Sequence, residues 1–333
     1  MKAVIDGTTV RLGQDGASLY EQGGYGRPDG AGLRLAFEEA LYLLLRGKIE
    51  VPGHTFESLL ATFAGTPDFL RRFLVYRDIR ERGYVIQPGP QDFRVFRRGE
   101  KPGRGRSQYL VRVISERAVI GFDRMAADGA TALHMRKTYV LAVVDDENEL
   151  TYYEVKMPDL PSVESPPLPS FTGAYAGTAV VAAVPESAGS EERAWFGTPL
   201  DAGRLMLSPL EIIYLRARGK LAVAGDPEGE EVFLARVAAA DAELAEKQAV
   251  YTHLRDLGYM PRTAYKFGHH FRVYTGKKKH SEMLVHALPP RAEMPMSIIS
   301  RSVRLAHSVR KKMLFACVNE DMIRYIEFGR IKL

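Results

Sequence analysis

Six segments of this 333-residue chain occur twice, in the same order, about half a chain apart. EALYLLLRGKIEV (39–51) returns as EIIYLRARGKLAV (211–223), and YGRPDGAG (25–32) as FGTPLDAG (196–203). VYRDIRERGYVI (75–86) matches VYTHLRDLGYMP (250–261), and DFRVFRRG (92–99) matches HFRVYTG (270–276). RSQYLVRV (106–113) pairs with HSEMLVHA (280–287), and RKTYVLAVV (136–144) with RKKMLFACV (310–318). The offset stays between 171 and 178 residues throughout. Chance similarity does not hold a register through six segments, so the chain is an internal duplication. Whatever one copy folds into, the other must fold into as well.

Between the copies lies MPDLPSVESPPLPSFTG, which contains Pro158, Pro161, Pro166, Pro167 and Pro169. Proline fixes φ and removes donors, so this stretch reads as a semi-extended linker. TAVVAAV is then expected as the first strand of the second copy. Within each copy LRLAFEEALYLLLRG and its counterpart carry apolar residues at helical spacing and end at a glycine. FESLLATFAGTPDFLRRFLVYRDIRERG continues as helix. The pattern then switches to strands. In HFRVY the alternation puts Phe271 and Val273 on one face and Arg272 and Tyr274 on the other. LVHAL is a further strand, SIISRSVRLAHSV a helix with Ser297 as its N-cap, and KMLFACV a buried strand. The expected class is mixed α/β, as tandem units with a helix-rich N-terminal domain and a mixed-sheet C-terminal domain. The boundaries fall at 1–87, 88–157, a linker at 158–173, 174–257 and 258–333.

The apolar fraction of 46% supports real cores, and 26% charged residues is ordinary for a globular chain. No apolar run approaches the roughly 20 residues of a membrane helix, so no membrane partner is expected. MKAVIDGTTV lacks the apolar core of a secretion signal, and one cysteine, Cys317, allows no internal disulfide. A cytoplasmic location is the expectation. No zinc-type spacing, P-loop or GxGxxG occurs, so no metal or cofactor is expected. The net charge of +5 becomes informative through its distribution. Between Arg262 and His280 the chain carries Lys266, His269, His270, Arg272, Lys277, Lys278 and Lys279 and no acid, which suggests a phosphate-facing surface.

Duplicated scaffolds reveal chemistry where the copies differ. At the end of FRV, Phe96 in the first copy is Tyr274 in the second; at the start of the next strand, Arg106 is His280. Both copies keep a lysine at the helix-to-strand junction, Lys137 and Lys311. Only the second copy thus combines a phenol, an imidazole and an ammonium. That set suits RNA cleavage by the neighbouring 2′-hydroxyl. Tyr274 would take the proton, His280 would give one to the leaving 5′-oxygen, and Lys311 would offset charge on the phosphate. A free phenol titrates near 10; nearby cations such as Lys277, Lys278 and Lys279 favour the phenolate. His269, His270, His286 and His307 read as structural.

FRVY, HSEMLVH and RLAHSVRKKMLFACV together resemble the catalytic domain of the tRNA-splicing endonucleases, and YGRPDGAGL with ALYLLLRGKIEV resembles that family's N-terminal domain. The resemblance covers nearly the whole chain outside the linker. It implies a restriction-endonuclease-like catalytic domain and a metal-free reaction. It also implies a precursor tRNA substrate folded as a bulge-helix-bulge, with Tyr274, His280 and Lys311 as the catalytic set. Base-clamping arginines are implied at Arg304, on the same helical face as Lys311, and at Arg324. The first copy then corresponds to a non-catalytic structural unit, in a fusion that forms a homodimer. Its acidic turn, Asp145, Asp146, Glu147 and Glu149, would dock into a basic pocket of a neighbouring catalytic unit. Two other readings are a metal-dependent restriction-like nuclease, which needs paired carboxylates, and a non-catalytic RNA-binding scaffold.

Overall fold

The computed structural model describes residues 1–184, 195–224, 229–276, 280–319 and 322–333. The chain divides into two compact units, Met1–Met157 with Glu293–Arg304 and Phe328–Leu333, and Pro158–Ala292 with Leu305–Glu327. The first unit opens with a four-stranded antiparallel sheet, in which Val10 faces Leu35 and Leu12 faces Leu33. LRL thus belongs to a strand, Gly32–Leu35, because Leu33 and Leu35 alternate with exposed Arg34; the helix starts only at Phe37. That helix, Phe37–Leu45, buries Ala40, Leu41 and Leu43. It stops at Gly47, whose φ of 63° is open to glycine at no steric cost. In the second unit the helix Pro209–Ala217 has Ser208 as its N-cap and Pro at N1, and ends the same way at Gly219, φ 65°. There TAVVAAV forms the strand Ala179–Ala183, and Phe171–Ala176 precedes it as an antiparallel partner.

Both units then build a mixed sheet around a parallel crossover. In the first, Ser107–Ser115 leads through the helix Phe122–His134 to Thr138–Val144, with Leu110 beside Tyr139. In the second, Met283–Leu288 and Lys312–Asn319 run parallel, with Leu284 beside Met313. Between these strands in sequence lies the helix Met296–Ser308, of which residues 296–304 belong to the first unit; it begins one residue before Ser297, which therefore lies in its first turn. The preceding antiparallel pairings also correspond: Arg94 faces Leu110, and Arg272 faces Leu284.

The duplication extends to buried polar groups. Glu39 accepts from the backbone N–H of Gly26 at 2.8 Å and of Ala36 at 3.0 Å; Glu211 accepts from Gly197 at 2.8 Å and Ser208 at 2.9 Å. Arg80 donates from Nε to the Tyr76 hydroxyl and Arg255 to that of Tyr251, both at 2.9 Å. Buried donors and acceptors need partners, and the two units meet that need with the same residue types at matching positions.

Candidate active site

The second unit sets His280 beside Lys311 through strand pairing. Met283 pairs with Lys312 in parallel register, and Lys312 N–H donates to the Glu282 carbonyl at 3.0 Å. The residues just before the two strands are therefore neighbours. The preceding helix ends at Ser308; Arg310 takes a left-handed φ of 56°, and Lys311 N–H donates back to the Ala306 carbonyl. Lys311 consequently leaves the helix altogether, so Arg304 and Lys311 do not share the helical face expected from the sequence. Lys311 Nζ donates to the Ser281 carbonyl at 2.7 Å, fixing the ammonium at the strand start.

A cleft of about 1110 Å³ opens here, lined by His280, Glu282, His307, Arg310, Lys311 and Lys312 among others. Partial burial pulls the Lys311 ammonium below its usual range, and the positive charges of Arg272 and Lys266 add to that. A site that crowds cations around a half-buried ammonium favours an anion. His280 is exposed in this cleft. Tyr274 ends the strand His269–Tyr274, half-buried, with the Arg272 guanidinium carbon 5.8 Å from its ring centroid. It is not among the residues lining the cleft. Lys277, Lys278 and Lys279, expected to act on its phenol, lie outside the described residues.

The basic run from Arg262 to His280 is not one surface. Strand alternation buries His269 and half-buries its neighbour His270, and His270 stacks on His286 with centroids 4.1 Å apart. Burial pushes His269 and His270 down to about 4, with repulsion from His286 adding to it. Arg262 Nη1 pairs with Glu211 at 3.1 Å. Of the run's described residues, Lys266, Arg272 and His280 are left to act at the site. In the sequence Arg272 stands both in the basic run and on the strand face of Tyr274, and the second is the signal for its place beside the phenol. His307 reads as structural in the sequence, yet it lines the cleft; its position four residues before Lys311, across a helix end, is the clue.

Arg304 is exposed on the helix Met296–Ser308, and Arg324 is exposed on the strand Met322–Ile331. In the first unit, residues 145–149 form a tight turn between Thr138–Val144 and Leu150–Lys156. Asp145 builds it, its Oδ1 accepting from the N–H groups of Glu147 and Glu149 at 3.0 and 2.8 Å. Asp146 pairs with Arg117. No ion pair of Glu147 or Glu149 occurs among the described residues.

The family model for the tRNA intron endonuclease catalytic C-terminal domain matches residues 69–152 and again 244–325. The model for the N-terminal domain of the same enzymes matches 1–60 and 173–234. The chain belongs to the tRNA intron endonuclease family. A tRNA-splicing endonuclease of Methanococcoides burtonii is 40% identical over 95% of both chains. Similar proteins of the same description occur in Methanosarcina mazei, 36% identical over 100% of this chain and 99% of the relative, and in Natronomonas pharaonis, 37% identical over 99% of each. Membership accounts for the duplication, since both family domains match twice. Tyr274, His280 and Lys311 all fall within the second catalytic-domain match. No helix among the described residues is long and apolar enough to cross a membrane.

Proposed function

We propose that the second copy cuts precursor tRNA at its intron boundaries by attack of the 2′-hydroxyl on the adjacent phosphodiester. As a member of its family the chain is an RNA-cleaving enzyme that removes tRNA introns. Tyr274 takes the 2′-hydroxyl proton; O2′ bonds to phosphorus; the bond from phosphorus to O5′ breaks as His280 supplies that oxygen with a proton. Lys311 stabilises the non-bridging oxygens. The products are a 2′,3′-cyclic phosphate and a 5′-hydroxyl, and no metal enters the reaction. The observation that carries this reading is the cleft that joins His280 to the fixed ammonium of Lys311. The corresponding position in the first copy keeps the lysine but has Arg106 in place of the imidazole.

The residues 1–87 and 88–157 act as framework, 174–257 and 258–333 as the catalytic copy, with 158–173 between them. The substrate is a bulge-helix-bulge, its unpaired bases stacked by Arg304 and Arg324. The protein works as a homodimer in the cytoplasm, where the buried thiol of Cys317 stays reduced. Docking of the acidic turn then falls chiefly to Glu147 and Glu149, because Asp145 shapes the turn and Asp146 is paired.

The deciding experiment incubates the protein with an intron-containing precursor tRNA in excess EDTA and identifies the ends. Cyclic phosphate and 5′-hydroxyl ends at both boundaries are expected. Cleavage abolished by EDTA, or 5′-phosphate ends, would reject the mechanism.

A further inference from the structure

The first copy, which lacks the phenol and imidazole, keeps the rest of the site in the same geometry. Lys137 Nζ donates to the Ser107 carbonyl at 2.7 Å, as Lys311 does to Ser281. Lys137 N–H donates to the Ala132 carbonyl after Arg136, which is left-handed at φ 55°, repeating the helix end at Arg310. The Arg94 guanidinium carbon sits 5.8 Å from the Phe96 ring centroid, as Arg272 does from Tyr274. The two differences act in one direction. Phe96 is buried and cannot carry a proton, whereas Arg106, at the position of His280, is exposed and permanently charged.

Arg94, Arg106 and Lys137 therefore gather here, with Arg27 acting on Arg94; among the described residues only the buried carboxylate of Glu39 and the phenol of Tyr20 offset part of the charge on Arg94. Burial pulls Lys137 down first, and Arg94 and Arg106 pull it further; burial pulls Arg94 down first, with Arg27 next. Arg94 holds Gln87 Oε1 at 2.8 Å through Nη2, while its Nε is buried with no hydrogen-bond partner among the described residues. No ion pair of Arg27, Arg94, Arg106 or Lys137 occurs among the described residues, although Arg72, Arg82 and Arg112 of the same unit each have a carboxylate. Glu100 takes the backbone N–H of Arg106 at 3.2 Å. Mutual repulsion of unpaired, partly desolvated cations costs stability unless an anion is bound. The loss of both proton carriers, with retention of the lysine and gain of an arginine, is what a site selected to hold a phosphate without cutting it would require.

We propose that Arg94, Arg106 and Lys137 form a second, non-cleaving site for an RNA phosphodiester, so that the framework copy grips part of the substrate's backbone. This goes beyond the catalytic reading and does not depend on which groups transfer protons.

The test measures affinity of wild type, Arg106→Ala and Arg106→Glu for a precursor tRNA with 2′-deoxy residues at both cleavage sites, across a range of salt. Arg106 is exposed, so the fold should tolerate both changes. The slope of log affinity against log salt should fall by about 0.7 to 0.9 for each lost phosphate contact. Affinity should drop several-fold for Arg106→Ala and further for Arg106→Glu. Unchanged affinity and slope would overturn the proposal. So would a change confined to sedimentation, which would make the patch a protein contact. Failure of the wild type to cut unmodified RNA, with binding still lowered by the substitutions, would count against the catalytic reading and leave this site standing.

Discussion

At the scale of single residues the open contest is between two histidines in one cleft. His280 precedes the strand Met283–Leu288, and His307 lies in the last turn of the helix before Lys311. Both line the cleft, and only one can protonate the leaving oxygen. Replacing the true donor should slow cleavage by about 10²–10⁴-fold, the usual worth of positioned acid catalysis, with little change in RNA affinity. We expect that loss in His280→Ala and a loss under about tenfold in His307→Ala, measured as single-turnover rates. The reverse order would reassign the donor. In the proposed mechanism Lys311 has two tasks, since its ammonium also holds the Ser281 carbonyl. Lys311→Gln should therefore lower both rate and thermal stability, whereas Tyr274→Phe, at a half-buried strand end, should lower the rate alone.

At the scale of elements, each copy anchors a helix N-terminus with one buried glutamate. Glu211→Gln keeps one acceptor and loses the other, leaving the N–H of Gly197 or Ser208 without a partner, and it also removes the charge paired with Arg262. The cost should be about 2 kcal/mol or more, read from urea unfolding, and Glu39→Gln, which has no ion pair among the described residues, should cost less. An effect near zero in both would mean that the carboxylates do not organise the turns. The paired strands His269–Tyr274 and Met283–Leu288 carry the histidine cluster. His270 accepts the Ala287 N–H on Nδ1 at 3.0 Å and faces Glu243 with Nε2 at 3.3 Å, and Lys247 stands close to the same group. His269 and His270 are pushed from 6.5 down to about 4 by burial, so the unfolded chain binds more protons between those values. Their contribution is complete above about pH 6.5 and lost as pH falls toward about 4. Urea midpoints should fall through that window in the wild type and fall less steeply in His269→Phe.

At the scale of the whole molecule, assembly should depend on the acidic turn. Reversing Asp145 would dismantle the turn, and reversing Asp146 would break its pair with Arg117. Glu147→Lys with Glu149→Lys changes charge and leaves that geometry intact. If the turn docks on a second copy, this variant should shift the dimer toward monomer in sedimentation at moderate salt, and cleavage should fall with it. A dimer and a rate equal to wild type would remove the turn from the interface.

The duplication, the mixed α/β class, the family and the contrast between Phe96 with Arg106 and Tyr274 with His280 were all legible in the chain itself. The duplication, the class and the contrast depend on local order and on comparing one half of the sequence with the other; the family rests on the resemblance carried by FRVY, HSEMLVH and RLAHSVRKKMLFACV. Period-two burial in FRVY also came through, because alternation is a property of the strand alone. Three outcomes required tertiary structure. The basic run was divided between solvent and core, because burial of His269 and His270 follows from what packs over their strand. His307 joined the cleft and Lys311 left the helical face of Arg304, because the left-handed turn at Arg310 redirects the chain. The match between Lys137 and Lys311 in hydrogen bonding emerged only from coordinates, since a lysine's reach to a carbonyl 30 residues away is set by parallel strand pairing. Sequence order specifies which side chains each strand offers; long-range pairing decides which of them meet.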